Sequence, residues 1–336
     1  MTRYILIFSI ALILVSGTIP FFRRLAIRWR FLDLPRDRKI HTQPVPLLGG
    51  AAIYLGFLLA LFLVDRFFIP QLLSILTGAT LFSFLGLWDD RRGLRPSVKL
   101  LGQVLITGII IVSGIRVQFF HSPFLDLTAT LLWVLTITNA MNLLDNMDGL
   151  SGGVAMVASL FFFLLAVMNG QYLVASVTAA LLGACVGFLF YNLNPASVFM
   201  GDSGSLFIGF MLAMIGIKLR FPHNTDRITW MIPVVVLGLP IFDTALVVIS
   251  RIRRGLNPLT TPGKDHVSHR LVAMGATRRE AVLILYLVCC GLGTLGMLIM
   301  YANMLEACLA GGMVVLFALY SLWRLEGVDL STRQEI

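Results

Sequence analysis

Apolar runs of roughly bilayer-spanning length recur from one end of this 336-residue chain to the other. That recurrence leaves few folds open, because a membrane-crossing helix needs about 20 consecutive apolar residues. Eleven such segments can be read, at 4–22, 46–64, 69–88, 98–114, 127–144, 150–168, 171–190, 204–218, 229–250, 281–300 and 304–323. Only 13% of the residues are charged, against 58% hydrophobic, whereas a soluble domain carries about 25% charged residues. In hydrocarbon every backbone N–H and C=O must be satisfied within the protein, which favours helices. The expectation is an all-α polytopic membrane protein of about eleven transmembrane helices, with residues 1–336 forming a single integral-membrane domain.

Eleven spans place the loops at 23–45, 89–97, 145–149, 191–203 and 251–280, and the C-terminal tail, on one side. With Lys99 at the membrane edge, that side holds 20 of the 26 basic residues; Arg3, Arg66, Arg116, Lys218, Arg220 and Arg227 fall on the other. Basic loops mark the cytoplasmic face, so the N-terminus is expected outside and the C-terminus inside. Residues 4–22 run into FRRLAIRWR without a small-x-small cleavage site, which favours a signal anchor over a cleaved signal peptide. The net charge of +9 follows largely from this topology. No zinc-finger spacing or aromatic-basic stacking motif points to nucleic acid. Cys185, Cys289, Cys290 and Cys308 all lie in apolar runs and read as small packing residues.

The polar residues that break this apolar pattern collect at the cytoplasmic edge. A carboxylate costs about 2.5–3.5 kcal/mol at the centre of a membrane helix, so acids near the bilayer are functional candidates. Asp89-Asp90 end the third span. They suit a hard cation such as Mg²⁺, which takes one or two carboxylates plus water and substrate phosphates; equally, they could pair with Arg91, Arg92 or Arg95. Asn139, Asn142, Asp145 and Asp148 follow at intervals of three, before Gly149. Residues three apart lie on roughly one side of a helix, so Asn139 with Asn142, and Asn142 with Asp145, can face one cleft. Phe199-Met200-Gly201-Asp202-Ser203 opens the eighth span. Asp202 or Ser203 could cap that helix, or Asp202 could bind a metal while neighbouring backbone N–H groups meet phosphate oxygens. His266, His269 and Arg270 lie in a basic loop with Lys264, where they could bind phosphate, ligate a metal or be simply solvated. Asp243, inside the ninth span, is open between facing the cleft and pairing with a basic group. Lys39, His41 and Pro46-Leu47-Leu48-Gly49-Gly50 read either as a lipid-phosphate site or as plain anchoring.

These segments, in this order, resemble the polyprenyl-phosphate N-acetylhexosamine-1-phosphate transferases over residues from about 39 to 271. The resemblance implies a cytoplasmic active-site cleft in a bacterial inner-membrane protein. There a UDP-N-acetylhexosamine gives its sugar-1-phosphate to a polyprenyl phosphate such as undecaprenyl phosphate, releasing UMP. It implies a Mg²⁺ cofactor, with Mn²⁺ as an alternative, a lipid-bilayer setting, and a chain compatible with a homodimer. By position, Asp89 and Asp90 match the catalytic pair, Asp202 the metal ligand, and Asn142, Asp145 and Asp148 the nucleotide- and metal-proximal set. Phe199 matches a uracil-stacking position, Lys99 a phosphate-contacting lysine, and His266 and His269 the outer histidines of a His-x-His-His sequence, with Arg270 beside them.

Ser268 stands where that sequence has its middle histidine, which bears on the sugar more than on the reaction. The triple-histidine sequence of the muramoyl-pentapeptide branch is absent, so UDP-N-acetylglucosamine is the expected donor. The alternative class is an ion- or proton-coupled transporter. Transporter sites generally lie near the bilayer midplane, while here only Asp243 lies deep. Direct attack by the lipid phosphate and a two-step route through a phospho-aspartyl enzyme both remain open at this level.

Overall fold

The computed structural model describes residues 1–33, 44–64, 70–258, 261 and 263–328. Lys39, His41 and Arg66 lie outside them. The chain divides into two compact units, Met1–Arg220 and Phe221–Ile336.

In the first unit, α1 (Thr2–Arg28) leads to a two-stranded antiparallel pair, β1 (Leu32–Asp33) and β2 (Val45–Pro46), with Leu32 opposite Pro46. Then come α2 (Gly49–Val64), α3 (Pro70–Arg92), α4 (Pro96–Val112), α5 (Pro123–Leu144), α6 (Leu150–Met168), α7 (Tyr172–Asn192) and α8 (Gly201–Lys218). Helix α8 is the centre: it packs against α3, α5, α2, α6 and α7 and is almost wholly buried. Its sequence explains this, because small residues let helix backbones approach closely where lipid removes the hydrophobic drive for association. A methyl group on Gly209 would lie 2.7 Å from the Thr138 Cα of α5. The indole N–H of Trp133 adds a bond to the Ala213 carbonyl at 3.0 Å.

The second unit holds α9 (Asp226–Thr229), α10 (Met231–Val236), α11 (Gly238–Arg253), α12 (Val267–Ala273), α13 (Arg278–Ile299) and α14 (Met304–Glu326). Capping boxes start its two long helices, Thr277 with Glu280 on α13 and Asn303 with Glu306 on α14. Each satisfies two backbone donors that would otherwise be orphaned at a helix start.

Each of the eleven apolar runs carries helix. Among the described residues, eight helices are long and apolar enough to cross a membrane, or nine when the bent pair is one span. That pair is the predicted 229–250 run, which breaks at Leu237 and turns by 71° between Asp226–Val236 and Gly238–Arg253. Runs 46–64 and 98–114 form α2 and α4, of 16 and 17 residues. At 1.5 Å per residue each is about 25 Å long, a little short of a hydrocarbon core of about 30 Å. Among the described residues the protein is all-helical apart from the β1–β2 pair, and it is a multi-pass membrane protein. All four cysteines are free thiols.

Candidate active site

Four helices of the first unit bring their polar residues together beside the start of α8. The Lys99 ammonium of α4 lies 2.7 Å from Asp202 Oδ2, 2.9 Å from Asp89 Oδ2 and 2.9 Å from Asn142 Oδ1. Asn142 of α5 donates through Nδ2 to Asp202 Oδ1 at 2.7 Å and to the Ser205 hydroxyl at 2.8 Å. Asp89 Oδ1 accepts the backbone N–H of Leu94 at 2.7 Å, which ties the carboxylate to the turn after α3. One cation thus sits among three oxygens contributed by α3, α5 and α8. The polar segments around Asp89, Asn142 and Asp202 converge here, although they are separated by up to 113 positions.

Asp90 has a different job from Asp89. Its Oδ1 accepts the N–H of Asp202 at 2.8 Å and its Oδ2 the N–H of Ser203 at 3.0 Å. An anion is stabilised at a helix N-terminus by such free donors and by the helix dipole. The two N–H groups expected to meet phosphate oxygens are therefore taken by Asp90. Glycine makes the arrangement feasible: Gly201 adopts φ +67°, and a methyl group on Gly86 of α3 would lie 2.3 Å from the Asp202 carbonyl oxygen. On the other flank Gly49 N–H donates to the Phe199 carbonyl at 3.0 Å and Gly50 N–H to that of Met200 at 2.9 Å. The Pro46–Gly50 segment is a clasp on the entrance to α8, and Phe199 is partly exposed beside it.

Asp145 caps the end of α5 and keeps part of its surface open. Burial, reinforced by the carboxylates of Asp202, Asp90 and Asp148, pushes its carboxyl up to about 8. Asp148 accepts at Oδ2 from the Asn194 amide and from the Ala196 N–H, both at 3.0 Å. Asn192 accepts from Gly149 N–H and donates to the Val198 carbonyl, each at 3.0 Å. Together Asp148 and Asn192 pin the α7–α8 connection to the α5–α6 turn. Asn139, expected beside Asn142 in the cleft, instead exchanges amide hydrogen bonds with Gln103 of α4 at 2.7 and 3.2 Å. Gln103 and Asn192 were not singled out by sequence, since their partners lie on another helix or in the connections between helices.

The donor set suits a hard divalent ion. Asp202, Asp89 and Asn142 offer only oxygen, and an ammonium already sits among those atoms. Among the described residues, no three His, Cys, Asp or Glu side chains are grouped to hold a metal. A Mg²⁺ ion fits on the terms usual for it, with one or two protein carboxylates and the remaining positions filled by water and phosphate.

The second unit carries the histidine loop. His266 Nδ1 lies 2.7 Å from Asp243 Oδ2, and Asp243 Oδ1 accepts the Val267 N–H at 2.7 Å. His269, partly exposed, stands edge-on to His266 with ring centroids 6.0 Å apart. Its imidazole is lowered to about 4 by burial and by the charges of His266 and Lys264. Ser268 is fully buried. Arg270 is buried too, and donates to the Asp265 and Leu325 carbonyls, the Ser250 hydroxyl and Glu326. A guanidinium so engaged holds the loop to α11 and the end of α14 through all three of its nitrogens. Burial opposes ionisation of Asp265, but Arg251 and Arg254 outweigh it and hold that carboxyl at about 2.

Residues 72–220, which contain the whole carboxylate cluster, match the family described as glycosyl transferase family 4. Over 297 residues the chain is 34% identical to a probable undecaprenyl-phosphate N-acetylglucosaminyl 1-phosphate transferase of Bacillus subtilis, covering 86% of this chain and 82% of that protein. It is 32% identical over 304 residues to a decaprenyl-phosphate N-acetylglucosaminephosphotransferase of Mycolicibacterium smegmatis, covering 79% and 74% respectively. It is 27% identical over 314 residues to the undecaprenyl-phosphate alpha-N-acetylglucosaminyl 1-phosphate transferase of Escherichia coli K12, covering 89% and 84%. With its ordered carboxylate motifs gathered at one helix start, the chain belongs to glycosyl transferase family 4, among the polyprenyl-phosphate N-acetylhexosamine-1-phosphate transferases.

Proposed function

We propose that this protein transfers N-acetylglucosamine-1-phosphate from UDP-N-acetylglucosamine to a polyprenyl phosphate, releasing UMP. The observation that carries the reading is the Asp89–Lys99–Asn142–Asp202 cluster, in a chain whose relatives are named for this transfer. Phosphoryl transfer asks little covalent work of a protein; positioning and neutralisation of charge dominate. Asp202 and Asn142 would hold Mg²⁺, or Mn²⁺, which when bound neutralises charge on the donor diphosphate and on the departing UMP.

The remaining steps fall to the chain's own groups. Lys99 is placed to shift from Asp202 to an incoming phosphate oxygen. Asp89 orients the acceptor phosphate or takes its last proton. A phosphate monoester has its second pKa near 6, so the acceptor is already largely dianionic near neutral pH and the base contributes modestly. Asp90, with both oxygens on the α8 backbone, serves by holding Asp202 in place. Phe199, Asp145 and Asp148 belong to the nucleotide side, Asp148 by fixing the α7–α8 connection. His266 and His269 bind substrate, and Arg270 keeps their loop in place. Direct attack by the lipid phosphate is the simpler route, because it needs no protein nucleophile.

In this reading residues 1–336 act as one integral-membrane transferase domain in the bacterial inner membrane. All eleven apolar helical segments cross the bilayer, the N-terminus is outside and the C-terminus cytoplasmic. The site opens to the cytoplasm, and a homodimer is the proposed assembly. The transport alternative gains nothing from relatives that are named as transferases. Purified protein with UDP-N-acetylglucosamine, undecaprenyl phosphate and Mg²⁺ should release UMP and form a lipid-linked sugar. Failure to release UMP across a panel of UDP-sugars would sink the proposal.

A further inference from the structure

Asp243 stands out because it is an acid placed deep in an apolar helix, 1% exposed, outside the carboxylate cluster. Its two oxygens are committed to adjacent residues of one loop: Oδ2 to the ring of His266 and Oδ1 to the backbone N–H of Val267, each at 2.7 Å. Three arginines nearby in sequence are engaged elsewhere. Arg251 and Arg254 bind Asp265, and Arg270 binds Ser250 and Glu326. Thus Asp243 meets the loop through a histidine and an amide.

An ionised carboxylate only accepts hydrogen bonds. With Asp243 the acceptor at both oxygens, as it is toward the Val267 N–H, the hydrogen shared with the ring is carried by His266 Nδ1. In the neutral ring that leaves the lone pair on Nε2, on the far edge of the imidazole. The bond from Val267 holds the carboxylate in register with the ring, because the residue next to His266 is bound to the same group. His269 packs edge-on against His266 and further limits rotation of the ring. A plain helix cap would need only one acceptor for the Val267 N–H, and a hydroxyl or amide could provide it. The second contact, to the imidazole, is what a cap does not require.

We propose that Asp243 is a positioning residue: it holds His266 in the Nδ1–H tautomer and aims Nε2 at a substrate oxygen. The proposal rests on the transferase reading, in which His266 contacts substrate. Carboxylates behind metal-ligating histidines set ring orientation and tautomer, and their loss typically costs about 10–100-fold in metal affinity or activity; a substrate-facing histidine held in the same way should show a loss of that order.

The test has two arms, both on the full-length protein in lipid nanodiscs. First, ¹⁵N NMR of histidine-labelled protein, with His266 assigned by its loss in His266→Asn, should show protonated Nδ1 and unprotonated Nε2 in the neutral ring. In Asp243→Asn that preference should be lost. A wild-type His266 protonated on Nε2 would overturn the proposal, and this arm needs no turnover. Second, Asp243→Asn should lower kcat by about 10–100-fold and leave KM for UDP-N-acetylglucosamine within a few-fold. In a His266→Asn background the same change should cost nothing further, since residues acting through one another are non-additive. Independent, multiplying losses would mean that Asp243 serves only the fold and would overturn the proposal. If Asp243→Asn does not fold, the wild-type tautomer still decides. A wild type that releases no UMP from any UDP-sugar would sink the transferase reading, while the NMR arm would still report whether Asp243 sets the ring.

Discussion

Asp90 accepts the backbone N–H of Asp202 at 2.8 Å and so holds, from another helix, the residue best placed to bind a metal. Its neighbour Asp89 faces Lys99 instead. Adjacent carboxylates of one motif therefore divide the work, one supporting the site and the other facing it.

This division should be visible on substitution. Asp90→Ala removes charge-assisted bonds to two buried donors, a loss of about 1.5–3 kcal/mol for a hydrogen bond to a charged group. Its thermal unfolding midpoint in detergent should fall, and turnover with it. Asp89→Asn keeps an acceptor for the Leu94 N–H and leaves Lys99 its bonds to Asp202 and Asn142. It should unfold near the wild-type temperature yet turn over slowly. A wild-type midpoint in Asp90→Ala would remove its supporting role.

Asp202→Ala should abolish Mg²⁺-dependent release of UMP. The substitution takes away the carboxylate that both Lys99 and Asn142 address, so added Mg²⁺ or Mn²⁺ should not restore the rate. Normal turnover in this variant would show that Asp202 does not hold the metal.

Gly86→Ala tests the close approach of α3 to α8. The new methyl group would stand 2.3 Å from the Asp202 carbonyl oxygen, a backbone atom that cannot swing aside. Overpacking of this kind costs about 1–3 kcal/mol, and here the displacement passes to Asp202. Activity and unfolding midpoint should both drop. Gly108→Ala is the control, because nothing lies within 4 Å of its added methyl group; it should behave as wild type.

Asp145 supplies a pH signature in the substrate-free protein. Its carboxyl is raised to about 8 in the folded state, from an ordinary carboxylate value when unfolded. Between about pH 4 and pH 8 the folded state thus holds a proton that the unfolded state has lost, and stability declines as pH rises through that window. Asp145→Asn removes this contribution. The midpoint of the variant minus that of wild type should grow from pH 5 to pH 8 and level off above it. A difference that stays flat with pH would contradict the raised carboxyl.

The helical architecture was legible because a bilayer enforces it: long apolar runs leave the backbone little alternative to helix. The cluster was legible as well, since Asp89, Lys99, Asn142 and Asp202 each interrupt an apolar pattern at a helix end. What sequence could not assign was the partner of each group. Asp90 and Asp89 are indistinguishable in the chain, yet α8 claims one and Lys99 the other. Asn139 shares a three-residue spacing with Asn142 but meets Gln103, because α4 crosses at that level. Arg270 looks like a phosphate ligand until its contacts to Ser250, Leu325 and Glu326 are seen. Asp243 left two readings open, and its bond to His266 favours pairing. Spacing reports which residues share a face, and only tertiary packing decides what that face meets.

The glycines packed against the start of α8 have a consequence for how this site could change over time. At Gly86 and at Gly50, a methyl group would meet main-chain atoms of residues 202–204 at 2.2–2.5 Å. With main chain met on both flanks, and only the small Ser203 hydroxyl beside it at Gly50, the seat of Asp202 is gauged by three stretches of polypeptide laid against one another. The outer surfaces of these helices can be rewritten for a different lipid or neighbour without disturbing that gauge. A change at either glycine would instead be transmitted to the Asp202 carboxylate, with little between to absorb it.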